Sequence, residues 1–187
     1  MVNPYSLPDD LPAPTDDGAA DHLPGTPLPP IDLQATDGNR VTLAALPGRT
    51  IVYAYPWTGR PGEPLLVDDW DLIPGARGCT PESCGFRDHH ADMLDAGVAA
   101  VFGLSTQDTG YQREVAERLA LPYPILSDEG LELTRELRLP TFEVAGKTLQ
   151  RRLSLLIRDG RIERVWYPVF PPDTHAAEVL ADLRSGL

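Results

Sequence analysis

Cysteine and lysine are nearly missing from this 187-residue chain, which holds two Cys and, among 16 basic residues, a single lysine, Lys147. Two cysteines cannot build a disulfide scaffold. They lie five residues apart, at Cys79 and Cys84, in an otherwise cysteine-free sequence. That placement leaves two readings, redox chemistry or two ordinary thiols at a helix start. Positive charge is scarce as well: 16 Lys and Arg against 28 Asp and Glu leave a net charge of −12. Such a balance argues against a nucleic-acid backbone or an anionic membrane as the main partner. No run approaches the roughly eighteen apolar residues that a membrane-spanning helix needs. The basic start and apolar stretch of a secretory leader are also missing, so the expected location is the cytoplasm.

Proline, by contrast, is plentiful and local. Eight of the 20 prolines fall in residues 1–30, together with Asp9, Asp10, Asp16, Asp17 and Asp21. Such a segment forms neither a helix nor an inner strand. Residues 1–23 therefore read as an irregular acidic arm, lying on the domain or loose in solvent, and residues 24–187 as one globular domain.

From residue 31 the pattern is regular. Ile31–Gln34 and Val41–Leu43 flank Asp37-Gly38, which predicts a hairpin. Thr50–Tyr55 is a buried strand by length and β-branching, and Val98–Leu104 is a second. Between them, 56–78 is a long Pro/Gly-rich loop, a length that is often functional. Thr80–Ala96 reads as one helix, with Thr80 as its cap and Pro81 at its first position. Gln107–Leu121 predicts an amphipathic helix with Tyr111, Val115 and Leu119 on one stripe. Pro124–Leu126 is short and extended, and Glu129–Leu139 a short helix. Leu153–Arg158 and Arg161–Trp166 are strands joined by Asp159-Gly160, the strongest hairpin signal in the chain. A last helix follows Asp173 or Thr174, with Val179, Leu180 and Leu183 facing inward. The alternation predicts an α/β fold, a central mixed sheet with helices on both faces, that is, a three-layer sandwich.

A cysteine just before a helix faces unpaired N–H groups and the positive end of the helix dipole, which favours a thiolate. Arg77 is close enough in sequence to add to this. Residues five apart on an intact helix have Cα atoms about 8.6 Å apart, beyond the roughly 7 Å limit for a disulfide. A Cys79–Cys84 bond therefore requires the first turns to unwind, which Gly85 makes less costly. Zinc is a weaker competitor: Cys79, Cys84, His89 and His90 rotate apart on a helix and cannot converge. One of the two histidines is expected half-buried and the other exposed.

The segment GCTPESCGFRD, 78–88, resembles the active-site segment of the PrxQ peroxiredoxins (bacterioferritin comigratory proteins). Ile51–Pro56, VFGLSTQD at 101–108, PYPILSDEG at 122–130 and RRLSLLIRDGRIERVW at 151–166 are similar to further landmarks of that family. The resemblance covers residues 24–187. It implies a thioredoxin-like fold with an added N-terminal β-hairpin. It also implies a thiol-dependent peroxidase that reduces hydrogen peroxide and organic hydroperoxides with no cofactor or metal, recycled by thioredoxin or a similar dithiol protein. By motif position, Cys79 resembles the peroxidatic cysteine and Cys84 the resolving one. Arg152 matches the arginine that binds peroxide and steadies the thiolate, Glu82 the glutamate that orients it, and Pro56 the proline that shields the site. A monomer is expected. The alternative on the same fold is a redox-sensing or interaction module that uses the disulfide as a switch.

The chain departs from that pattern before the reactive cysteine. Ala76 stands where the family carries Thr or Ser, and about twenty residues are inserted before Gly78. Thr58 is expected to fold back and supply the missing hydroxyl. Trp57, Leu65, Leu66, Val67 and Trp70 of the insertion either line an apolar peroxide pocket or pack on the domain, the latter being preferred.

Overall fold

The structure is a computed structural model that describes residues 7, 8 and 10–186. Asp9 and the first six residues of the arm lie outside the described residues.

The first hairpin joins β1 (Asp32–Ala35) to β2 (Arg40–Thr42). Then come β3 (Arg49–Ala54), α1 (Cys79–Asp88), α2 (His90–Asp95) and β4 (Val98–Ser105). They are followed by α3 (Thr109–Arg118), β5 (Ile125–Ser127) and α4 (Glu132–Leu137). The chain continues through β6 (Thr141–Val144), β7 (Lys147–Gln150), β8 (Leu153–Arg158), β9 (Arg161–Trp166) and α5 (His175–Arg184). Seven strands form one sheet in the order β2-β1-β5-β4-β3-β8-β9. The β5-β4-β3 centre is parallel and its neighbours are antiparallel, so the sheet is mixed.

Side-chain alternation along the central strands divides the core in two. Ile51 and Tyr53 of β3 face α1, α2, α3 and α5, packing with Phe86, Met93, Val115 and Val179. Val52 and Ala54 face the other way, toward Leu133 and Leu137 of α4. Each fully buried Leu, Ile or Phe contributes about 1.5–3 kcal/mol, so both faces are held by burial on the same few strands. The arm takes part on the α4 side. Ala20 and Leu23 are buried there, and His22 Nε2 meets the Leu137 carbonyl at 2.9 Å. Residues 10–23 have no helix or strand, and they lie on the domain rather than loose.

Three features differ from the sequence expectation. The helix over 80–96 is two helices, broken at His89, whose backbone (φ −97°, ψ 5°) leaves the helical region. The break turns both His89 and His90 half inward, where one exposed histidine was expected. A second sheet, the β6-β7 hairpin, was not anticipated; Ala145 and Gly146 make its turn, both with positive φ. Thr80 does not cap α1. Gly78 does so in a left-handed conformation (φ 108°), and Cys79 is the first helical residue.

His175 on α5 is buried between Phe86 and Trp166, with Nε2 2.8 Å from Ser154 Oγ. Burial, aided by the charge of Arg152 and opposed by Asp182, pushes its pKa down to about 3. Glu178 lies 3.5 Å from Nδ1, but its carboxylate is 64% exposed and screened by water. A histidine whose pKa is depressed on folding contributes stability that is present above its unfolded pKa near 6.5 and lost as pH falls below it. Acidification from pH 7 to pH 4 is therefore expected to cost several kcal/mol from this one residue. Urea titrations at several pH values check this: His175→Asn should flatten the acid limb, and an unchanged slope would contradict it.

Candidate functional site

The carboxyl ends of parallel strands in open α/β sheets are where ligands bind. Here β3 and β4 end side by side, and the loop after β3 runs from Pro56 to the start of α1. Pro56 is buried, and the backbone of Trp57 next to it favours the charged form of Cys79. Gly78 must be glycine for two reasons. Its φ is left-handed, and a Cβ there would run into the Pro172 ring. Gly78→Ala is expected to cost about 1–3 kcal/mol, the usual penalty of overpacking. It should also change the reactivity of the Cys79 thiol by displacing it. Thermal melts and a thiol-reactivity assay check this; wild-type values in both would contradict it.

Cys79 is 3% exposed. Arg152 Nη2 lies 3.2 Å from its sulfur and 3.2–3.3 Å from the carbonyls of Gly75, Ala76 and Arg77. The other terminal guanidinium nitrogen, Nη1, is paired with Glu82 Oε2. Both side chains are buried, so Glu82 fixes the guanidinium and the guanidinium fixes the sulfur. Glu82 reaches Arg152 because it stands three residues after Cys79, one turn along α1. Nothing at Ala76 supplies the missing hydroxyl donor; its backbone carbonyl accepts from Arg152 and from the Cys79 thiol, the latter at 3.6 Å.

The electrostatics differ from expectation. Burial pushes the Cys79 thiol above its ordinary pKa; Arg152 pulls it down, Glu82 pushes it up, and the Trp57 backbone pulls it down. The helix start and Arg77 do not dominate. Arg77 is paired with Asp71 at 3.4 Å. Burial also pushes Glu82 up, to about 7, against the pull of Arg152. A thiolate here is one that Arg152 must stabilise against desolvation.

Thr58 is buried, but its hydroxyl donates to Gln107 Oε1 at 3.0 Å. The Thr58 N–H donates to the same oxygen, and Gln107 Nε2 donates back to the Thr58 carbonyl. No hydrogen bond from Thr58 to the sulfur occurs among the described residues, so the expected contact is not made. Thr58 instead locks the loop after β3 to the loop after β4. Gln107 was not picked out from the sequence; only its burial and reciprocal amide bonds reveal it.

Cys84 is half-buried on the same helix, and both cysteines are free. Burial raises its pKa, opposed by Arg87. Helix α1 is wound across both residues. The tyrosines of β3 and the β5 approach hold that helix. Tyr123 Oη donates to the Ser83 carbonyl at 2.9 Å, Tyr53 Oη donates to Ser83 Oγ at 3.1 Å, and Phe86 stacks on Tyr53 at 4.3 Å.

The insertion both packs and lines a cleft. Leu66 and Val67 pack beside Trp70, Ala76, Leu149 and Phe142. Trp57, Leu65 and Trp70 line a cleft of about 470 Å³ that reaches Cys79, with Arg60, Arg77 and Thr80 also on its walls. Arg152 is not on those walls; it backs the sulfur from behind.

Comparison with known proteins agrees with this geometry. The Redoxin family profile matches residues 23–183. The chloroplastic peroxiredoxin Q of Gentiana triflora is 31% identical over 162 residues, covering 86% of this chain and 66% of that protein. Its counterpart in Oryza sativa subsp. japonica is 30% identical with the same coverage. The chain thus spans about two thirds of the length of these curated relatives. Among solved structures, the peroxidoxin BcpB of Mycobacterium tuberculosis superposes with a TM-score of 0.70 at 24% identity, covering 89% of this chain and 99% of that one. A PrxQ mutant from Xylella fastidiosa gives 0.69 at 20% identity, covering 88% and 97%. These two share the thioredoxin-like peroxiredoxin fold with the present chain. The profile match and the curated relatives, taken with the 78–88 segment, show that the chain belongs to the Redoxin family, in its peroxiredoxin Q branch.

Proposed function

We propose that the chain is a thiol-dependent peroxidase that reduces hydrogen peroxide and organic hydroperoxides at Cys79. The observation that carries this reading is the Arg152 guanidinium held 3.2 Å from a buried thiol that opens onto a cleft. The Cys79 thiolate attacks one oxygen of R–O–O–H. An S–O bond forms, the O–O bond breaks, and the alkoxide leaves and takes up a proton as R–OH. Cys79 is then a sulfenic acid. Cys84 displaces its hydroxyl, releasing water and forming an intramolecular disulfide. A dithiol protein such as thioredoxin reduces that bond and closes the cycle. The setting that supplies such a reductant is taken to be the cytoplasm, with the enzyme acting as a monomer.

Resolution needs α1 to unwind, because a wound helix holds residues five apart beyond disulfide range. The Ser83 carbonyl must then leave Tyr123, and Phe86 must leave Tyr53. Removing one such hydrogen bond is worth about 1 kcal/mol, or about fivefold in rate. Tyr123→Phe is accordingly expected to speed disulfide formation about fivefold after a peroxide pulse. Hydrogen exchange should be faster across 82–87 in the oxidised form. An unchanged rate, with equal protection of 82–87 in both redox states, would remove the unwinding step.

The test of function is peroxide consumption driven by thioredoxin and its reductase. Sustained turnover by the wild type, lost in Cys79→Ser, supports the reading. A single oxidation without turnover would make the pair a redox switch instead.

A further inference from the structure

We infer that the acidic arm is a positioning strap: its contacts at Leu7, Pro14 and Asp17 hold the 75–78 backbone in place beside Arg152, and they must loosen before Cys84 can reach Cys79. The inference rests on the peroxidase reading and adds to it a segment outside the reacting site. Two sets of contacts hold the 75–78 backbone. The first is Arg152, whose Nη2 donates to the carbonyls of Gly75, Ala76 and Arg77. The second is the arm. A Cβ on Gly75 would meet the Pro14 ring at 3.5 Å, and one on Gly78 would meet Leu7 at 3.1 Å. Gly78 directly precedes Cys79, so the arm presses on the chain one residue from the reactive thiol.

The arm also shields the guanidinium. Pro14 lines a small cavity together with Gly75, Arg151, Arg152 and Tyr167. That cavity holds about 10 Å³, room for about one water. With the arm in place, the Arg152 charge acts on Cys79 through nearly dry surroundings, where charge interactions are strongest.

The latch of this strap is a single directed contact. Tyr167 Oη donates to Asp17 Oδ1 at 2.8 Å, and Arg151 lies near enough to attract the same carboxylate. Asp16 and Asp17 accept the N–H groups of Gly18 and Ala19, and the chain then runs to its buried anchors, Ala20 and Leu23. The contacts of Leu7 and Pro14 are apolar and so not directional. Opening the latch therefore frees the arm up to its anchors. Unwinding α1 moves Gly78 and Cys79, and the Leu7 contact is lost with them. A strap of this kind acts oppositely on the two steps of the cycle. Loosening it shifts the carbonyls that orient Arg152, which slows sulfenic acid formation. It also eases the unwinding that brings Cys84 to Cys79, which speeds the disulfide.

The experiment compares the full-length wild type with Pro14→Gly, Tyr167→Phe and the double variant. Hydrogen exchange of the reduced double variant should be faster across 15–19 and across 75–79. After a hydrogen peroxide pulse, its sulfenic acid should form about two- to fivefold more slowly, and its disulfide about two- to fivefold faster, the scale of one hydrogen bond. Asp17→Ala should match Tyr167→Phe, whereas Asp17→Asn keeps the acceptor and should restore both rates toward wild type. Asp10→Asn, an exposed position of the arm, is the control and should change nothing. Both rates moving in the same direction, or neither moving, would overturn the strap and leave the peroxidase standing. Unchanged exchange across 15–19 in the double variant would do the same. Faster exchange across 75–79 in a protein that no hydroperoxide oxidises would uphold the hold on the backbone and overturn the peroxidase.

Discussion

Replacing Arg152 by methionine is expected to slow sulfenic acid formation by about 10²–10³, the usual effect of removing one preorganised donor from a reacting centre. The guanidinium is the charge that opposes desolvation of the Cys79 thiolate. Without it the thiol should titrate higher still, which the ultraviolet absorbance of the thiolate against pH would show. The fold will not be indifferent. Glu82 is fully buried and paired with Arg152. Breaking a buried pair from one side costs about 3–5 kcal/mol. The decisive protein is therefore Arg152→Met combined with Glu82→Gln, which removes both charges. It should melt close to wild type and still react slowly with peroxide. A peroxide rate within about twofold of wild type, a negligible change in barrier, would move the role to the cleft-side Arg77.

Cys79→Ser is expected to abolish turnover with every hydroperoxide. A serine hydroxyl at this position stays protonated near neutral pH, and Arg152 cannot make an alkoxide of it. Cys84, the other thiol, is half-buried and lies away from Arg152's contacts. Cys84→Ser should behave differently: it should consume about one equivalent of peroxide through the sulfenic acid route and then stall. The contrast between no reaction and a single reaction assigns the two sulfurs. Multiple turnovers by the Cys79→Ser protein in a thioredoxin-coupled assay would contradict the assignment.

Much of this arrangement was legible in the sequence where local chemistry dictates it. The strand β3 is β-branched and continuous, and Asp159-Gly160 sets the two-residue hairpin between β8 and β9, both residues having positive φ. The active-site segment carries its own spacing: Glu82 one turn after Cys79, Cys84 five residues on. What the sequence hid depends on contacts between distant segments. The β6-β7 hairpin turns at Ala145-Gly146, a weaker signal than Asp-Gly, and is stabilised by Trp70 and other insertion residues packed on it. Thr58 was expected to reach the sulfur because Pro56 and Thr58 resemble the start of the family's active-site motif. Its partner turned out to be Gln107, 49 residues away, whose amide satisfies three groups of Thr58 at once. The helix-start argument for an acidic Cys79 overlooked burial, which a linear reading cannot weigh. The double role of the insertion rests on the same cluster: Leu66 and Val67 only pack in it, while Trp57, Leu65 and Trp70 pack in it and also border the cleft.

The central claim is that peroxide oxidises Cys79 and that Cys84 then captures it within the same chain. Intact-mass and peptide mass spectrometry of the reduced protein, given one equivalent of hydroperoxide without any reductant, tests it directly. The predicted product is a monomer that has lost two hydrogens, with a Cys79–Cys84 linked peptide, while Cys84→Ser yields one added oxygen on Cys79. Oxygen found on Cys84, or two free thiols remaining after the peroxide is consumed, would contradict the account.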